Sequence, residues 1–105
     1  MNRDLVQAFH LDAQGALTLR ELCELSGAAE SMVRELIDDG ALRPLDARAS
    51  TWTFSGECVV IARTARRLHG ELELEPHAVS LVVELMQRIG ELEAQLRSIR
   101  ARTMR

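Results

Sequence analysis

The sequence predicts a mainly α fold: a winged helix-turn-helix with a small β-hairpin wing, followed by a long C-terminal helix. Three observations carry that expectation. The tetrad Thr18-Leu19-Arg20-Glu21 is a capping box, and it opens the first of two short apolar-periodic segments joined across Gly27. Residues 41–54 then lose helical periodicity and hold two extended stretches separated by polar and small residues. From Pro76 onward, apolar residues recur at alternating spacings of three and four.

Taken in order, Leu5, Phe9 and Leu11 share one parity ahead of Asp12-Ala13-Gln14-Gly15, so residues 4–11 read as a short strand closed by a turn. Thr18 caps the next element, a helix that turns Leu19, Leu22, Cys23 and Leu25 inward and stops near Ser26-Gly27. A second helix runs from about Ala29 to Asp39. Met32, Val33, Leu36 and Ile37 form its buried face, and Gly40 is its C′ residue. Leu42-Arg43-Pro44-Leu45 and Trp52-Thr53-Phe54 form the expected hairpin. Ser55 caps a third helix, with Cys58, Ile61, Ala62, Ala65 and Leu68 on one face and His69-Gly70 at its end. Glu71–Glu75 reads as a linker. Pro76 suits the first position of the fourth helix, because its missing N–H would be unpaired there in any case. In that helix Val82, Leu85, Ile89, Leu92, Leu96 and Ile99 make a heptad seam. The expected division is residues 1–74 for the winged helix-turn-helix domain and 75–105 for the long helix, a dimerisation or partner-binding element.

Composition narrows the function. Only 3% of the residues are aromatic, so the core must be aliphatic. Thirteen basic residues, every one an arginine, face sixteen acidic ones, for a formal charge of -3. That balance weighs against a generic polyanion binder, whose affinity rests on phosphate contacts. Cys23 and Cys58 are too few for a disulfide framework and fall on buried helix faces. No long apolar stretch follows Met1-Asn2-Arg3-Asp4, and no run is long enough to span a bilayer, which predicts a cytoplasmic protein. His10, His69, His77 and the two cysteines show no ligand spacing, so neither a metal nor another cofactor is expected. No nucleophile–base–acid pattern is legible, which predicts a protein that is not an enzyme.

The order of elements resembles the MerR superfamily. Arg34, Gly40, Leu42 and Pro44 stand where that superfamily carries Arg, Gly, Leu and Pro between its second helix and its wing. The pattern then departs from the DNA binders. They follow that Arg with two tyrosines, where this chain has Glu35 and Leu36, and they carry a wing Arg before an aromatic, where this chain reads Thr51-Trp52-Thr53-Phe54. A closer resemblance is to the CbpM-type chaperone modulators. It is carried by Leu19-Arg20-Glu21-Leu22-Cys23, Glu35-Leu36-Ile37-Asp38-Asp39-Gly40, Trp52-Thr53-Phe54-Ser55-Gly56, Arg67-Leu68-His69-Gly70-Glu71-Leu72 and the Val79-to-Leu96 helix. Ala29 departs from it, since Ser is expected as the second helix's cap, at a cost of about 1 kcal/mol. The resemblance implies a protein that binds the J-domain of a CbpA/DnaJ-like co-chaperone and inhibits it. The alternative is a MerR-like DNA-binding transcriptional regulator.

Within that frame Glu30, Glu35, Asp38, Asp39 and Trp52 are the candidate partner-binding residues. The acids would oppose the basic helix of a J-domain; they read equally as a solvated helix face. Trp52 is an interface anchor or, more ordinarily, closes the core between wing and helices. Arg34, Arg43, Arg48, Arg63, Arg66 and Arg67 read as surface salt bridging rather than as phosphate contacts. Val82, Leu85, Ile89, Leu92, Leu96 and Ile99 either pack on the protomer's own core or form a homodimer interface, and fold-level analogy favours the dimer.

Overall fold

The short range of the capping signals is reflected directly in the fold. In a computed structural model, which describes residues 16–104, the order is β1 (Leu17–Thr18), α1 (Leu19–Ser26), α2 (Glu30–Asp38), β2 (Thr53–Phe54), α3 (Glu57–Leu72) and α4 (Pro76–Thr103). The strand expected over residues 4–11 lies outside the described residues. The capping box closes as expected. The Thr18 N–H donates to Glu21 Oε1 at 2.8 Å, and the Glu21 N–H donates to Thr18 Oγ1 at 3.1 Å.

Gly27 ends α1 in the left-handed region (φ 76°), and its N–H bonds the Cys23 carbonyl at 2.9 Å. Gly40 (φ 81°) is the C′ residue of α2, as the sequence predicts. Its N–H reaches the Ile37 carbonyl at 3.0 Å while the Ala41 N–H reaches Leu36 at 2.9 Å, the paired bonds of a Schellman motif. Ala29 supplies no side-chain cap to α2; instead Ser26 Oγ accepts from the Ala28 N–H at 3.1 Å inside the turn.

The sheet is where the structure differs from the expected hairpin. Thr53–Phe54 pairs antiparallel with Leu17–Thr18, in the register Leu17↔Phe54 and Thr18↔Thr53, and not with residues 42–45. Pro44 has no N–H to give a ladder, and Leu42 is fully buried in the core rather than alternating along a strand. A single bond, from the Leu45 N–H to the Thr53 carbonyl at 2.8 Å, closes the base of the wing. Between them, Asp46 accepts from the Arg48 N–H through Oδ1 and from the Ala49 N–H through its carbonyl, so the wing is a turn-rich loop.

Phe54, Leu17, Leu22, Leu36, Leu42, Val33, Val59 and Val79 are the large apolar side chains sealed in the core, which α1, α2 and α3 surround and the start of α4 covers. The apolar faces expected for the three short helices point into it or pack at its edge. Two boundaries shift. Helix α3 begins after Gly56, with no side-chain cap from Ser55, and runs past His69-Gly70 to Leu72. Glu71 and Leu72 are good helix formers, and one glycine costs only about 1 kcal/mol in a helix interior. The turn comes at Glu73, the one non-glycine residue with positive φ among those described (54°), so the linker is shorter than Glu71–Glu75. Pro76 opens α4 as expected.

Candidate partner-binding surfaces

Helix α2 carries its acidic residues in two rows, because positions four apart share a face. Glu30, Arg34 and Asp38 form one exposed row, tied by an ion pair of 2.8 Å from Arg34 Nε to Glu30 Oε2. Glu35 and Asp39 form the other, and they are not free: both face the start of α4. His77 Nδ1 stands 3.0 Å from Asp39 Oδ2 and 3.3 Å from Glu35 Oε2. The side chains of Glu35 and Asp39 are 29% and 24% exposed, whereas that of His77 is 68% exposed. Of the candidate acids, Glu30 and Asp38 therefore face solvent, while Glu35 and Asp39 also join α2 to the start of α4 through His77.

The electrostatics follow from this clasp. The hydrogen bond to Asp39, with the Glu35 and Asp39 charges, raises the His77 pKa above its ordinary value. The nearby Ser80 hydroxyl and the His77 ring hold the Asp39 carboxyl below its own. Ser80 Oγ is itself buried and makes no hydrogen bond of good geometry, so it stands beside the carboxylate without properly pairing with it. His77 also answers a local problem. Carboxylates at the end of α2 face the negative pole of its dipole, and a cation there is favourable. Sequence reasoning missed His77 and Ser80. His77 is 38 residues from Asp39, and only the docking of α4 on α2 joins them.

Trp52 lies on the other side of α2. It is half-buried, packs against the core, and its Nε1–H donates to the Ala47 carbonyl at 3.3 Å. With Arg20 and Arg34 it lines a shallow groove, apart from the Glu35–Asp39 row. A second cleft opens between the α1–α2 turn, α2, α3 and the start of α4, with Met32, Glu35, Arg66, His69 and Pro76 on its walls. No local pattern points to it, because its walls come from four segments.

The arginines do less salt bridging than expected. Among the described residues only Arg34 forms an ion pair with a carboxylate. Arg63 instead reaches across from α3, and its Nη2 donates to the Leu25 carbonyl at 2.8 Å, closing the C-terminal end of α1. Burial raises the pKa of both Cys58 and Cys23 above the ordinary thiol value.

The seam on α4 is open. Val82 is half-buried within the chain, but Leu85, Ile89, Leu92, Leu96 and Ile99 are each about half exposed, at 47–55%. Only Val79, Ser80 and Val83 of α4 are buried, and Gln87 Nε2 makes one further tie, to the Ala41 carbonyl at 2.8 Å. Among the described residues, the side chains along the seam beyond Val82 are thus only partly covered. Among the described residues no helix is long and apolar enough to cross a membrane.

Comparison with known proteins matches this architecture to one family. The model described as MerR HTH family regulatory protein matches residues 17–101, which takes in every element from β1 to most of α4. The chaperone modulatory protein CbpM of Pseudomonas putida (strain GB-1) is 32% identical over 86 residues, covering 82% of this chain and 85% of that protein. That of P. putida (strain W619) is 33% identical over 79 residues, 75% of this chain and 78% of that protein. CbpM of Escherichia coli O1:K1 / APEC is 28% identical over 88 residues, 84% and 87% of the two chains. The helix-turn-helix with its wing and long fourth helix, and this similarity over most of the chain, place the protein in the MerR-like helix-turn-helix family, among the CbpM-type chaperone modulators.

Proposed function

We propose that the chain is a non-catalytic, cytoplasmic modulator that binds the J-domain of a CbpA/DnaJ-like co-chaperone and inhibits it. The relatives' name, chaperone modulatory protein, supports chaperone modulation. The observation that carries the binding mode is the exposed row of α2. In a helix-turn-helix DNA reader, the second helix enters the major groove between phosphates. Here that helix offers Glu30 and Asp38 to solvent, its Arg34 is engaged by Glu30, and its other acids are clasped to α4. Such a face repels phosphate and suits a basic protein helix. The J-domain would then be held away from its DnaK-type partner by competition.

A second copy is the proposed occupant of the α4 seam. The charges of the projecting half are segregated: Glu84, Glu91 and Glu93 precede Arg97, Arg100 and Arg102, with Arg88 the one early cation. Antiparallel pairing brings the acidic stretch of one copy toward the basic stretch of the other while covering Leu85, Ile89, Leu92, Leu96 and Ile99.

The test is binding kinetics against a purified CbpA-type J-domain and, in parallel, against duplex DNA at physiological salt. Saturable J-domain binding is expected, with an on-rate that falls with salt and falls again in Glu30→Ser/Asp38→Ser, a variant that leaves the His77 clasp intact. A sequence-specific DNA complex that survives physiological salt, with no J-domain binding, would replace this reading by that of a transcriptional regulator.

A further inference from the structure

The cluster between α2 and α4 has a geometry beyond that of an ionic clasp. Glu35 and Asp39 are one turn apart on α2, and His77 comes from the first turn of α4. The imidazole nitrogen and one oxygen from each carboxylate all lie within 4.8 Å of one another. Two sides of that triangle measure 3.0 Å and 3.3 Å. A tetrahedral zinc ion with ligand distances of about 2.0–2.1 Å sets its donors about 3.3 Å apart. The two separations from His77 are close to the edge of such a tetrahedron, and the carboxylate oxygens lie within 4.8 Å of each other.

We propose that Glu35, Asp39 and His77 form a three-residue site for a divalent transition-metal ion of the zinc class, clamping α2 to the start of α4. The donor set is the right chemistry: an imidazole with two carboxylates suits zinc and its neighbours, whereas magnesium and calcium take oxygen donors alone. A dication neutralises both carboxylates, where the hydrogen-bonded form has one imidazole to serve them. A second observation points the same way. Ser80 Oγ is buried, has no well-formed hydrogen bond, and lies next to the Asp39 carboxylate. A hydroxyl in that place is suited to orient a metal-binding carboxylate from behind. His77 is open to solvent, which leaves a route of entry and room for water as a fourth ligand. The sequence expectation of no metal rested on ligand spacing along the chain, which cannot see donors brought together by helix packing. The proposal stands independently of the J-domain reading.

The experiment is a Co2+ titration of the full chain, free of any histidine tag, followed by displacement with Zn2+. Visible d–d bands of tetrahedral intensity are expected, saturating at one ion per chain, with Zn2+ displacing Co2+ and Mg2+ failing to. His77→Gln should weaken binding by at least about tenfold, and Zn2+ should raise the Tm of the wild type but not of that variant. His69→Gln, which alters a histidine bonded to the Leu74 carbonyl instead, should bind as the wild type does. Weak octahedral bands only, displacement by Mg2+, or undiminished binding in His77→Gln would each overturn the site and leave a simple hydrogen-bonded clasp.

Discussion

The body of the protein, from β1 to Val83, and the rest of α4 use the same aliphatic residues to opposite ends. In the body, Leu17, Leu22, Leu36 and Phe54 are sealed from solvent at 0% exposure, while along α4 Leu85, Ile89, Leu92, Leu96 and Ile99 stand at 47–55%. Among the described residues, the body therefore covers these apolar side chains, and the helix leaves its own half exposed. An apolar row that repeats with helical period and stays half exposed among the described residues is the pattern expected of a helix that packs on a further surface. The comparison also separates two roles for charge. Near the body, Glu35 and Asp39 are used to dock α4; along the projecting helix, acidic and basic residues form no ion pair among the described residues and are sorted by position.

The largest expected effect is in the body. Phe54→Ala should destabilise the fold by about 3–5 kcal/mol, since it removes a fully buried ring from the hydrophobic core. Chemical denaturation of dilute protein measures it. A loss under about 1 kcal/mol would mean that the ring is not packed as described. On the projecting helix the corresponding change should leave the body standing. Ile89→Asp combined with Leu92→Asp should abolish self-association in sedimentation while the far-ultraviolet spectrum and the unfolding of the dilute monomer stay close to wild type. In a paired interface, each charge would be buried at a cost of several kcal/mol. A wild type that is monomeric at tens of micromolar would show that the seam meets something other than a second copy.

The legible parts of the fold were those written in short stretches of chain. Thr18 and Glu21 are three residues apart and found each other as the capping box requires, and Gly40 and Pro76 marked the ends where they stand. The wing is not legible locally, because proximity along the chain favours Leu42–Leu45 as partner for Trp52–Phe54. The real ladder joins Thr53 to Thr18, across both helices of the helix-turn-helix motif. The end of α3 lies beyond the expected His69-Gly70 because a single glycine is a weaker stop than the Schellman geometry that ends α2. For the candidate surfaces, the seam was legible from its spacing, but its exposure was not. Glu35 and Asp39 looked like free carboxylates because nothing near them in the chain reveals His77, which only the docking of α4 supplies.

The central claim, that this chain restrains a DnaJ-like co-chaperone through its J-domain, is tested most directly on the co-chaperone's own activity. The measurement is the ATPase rate of a DnaK-type chaperone stimulated by a CbpA-like co-chaperone, with increasing amounts of this protein added. The stimulated rate should fall toward the unstimulated one as the J-domain is titrated, leaving the basal rate unchanged. Full stimulation in the presence of a large molar excess would contradict the account.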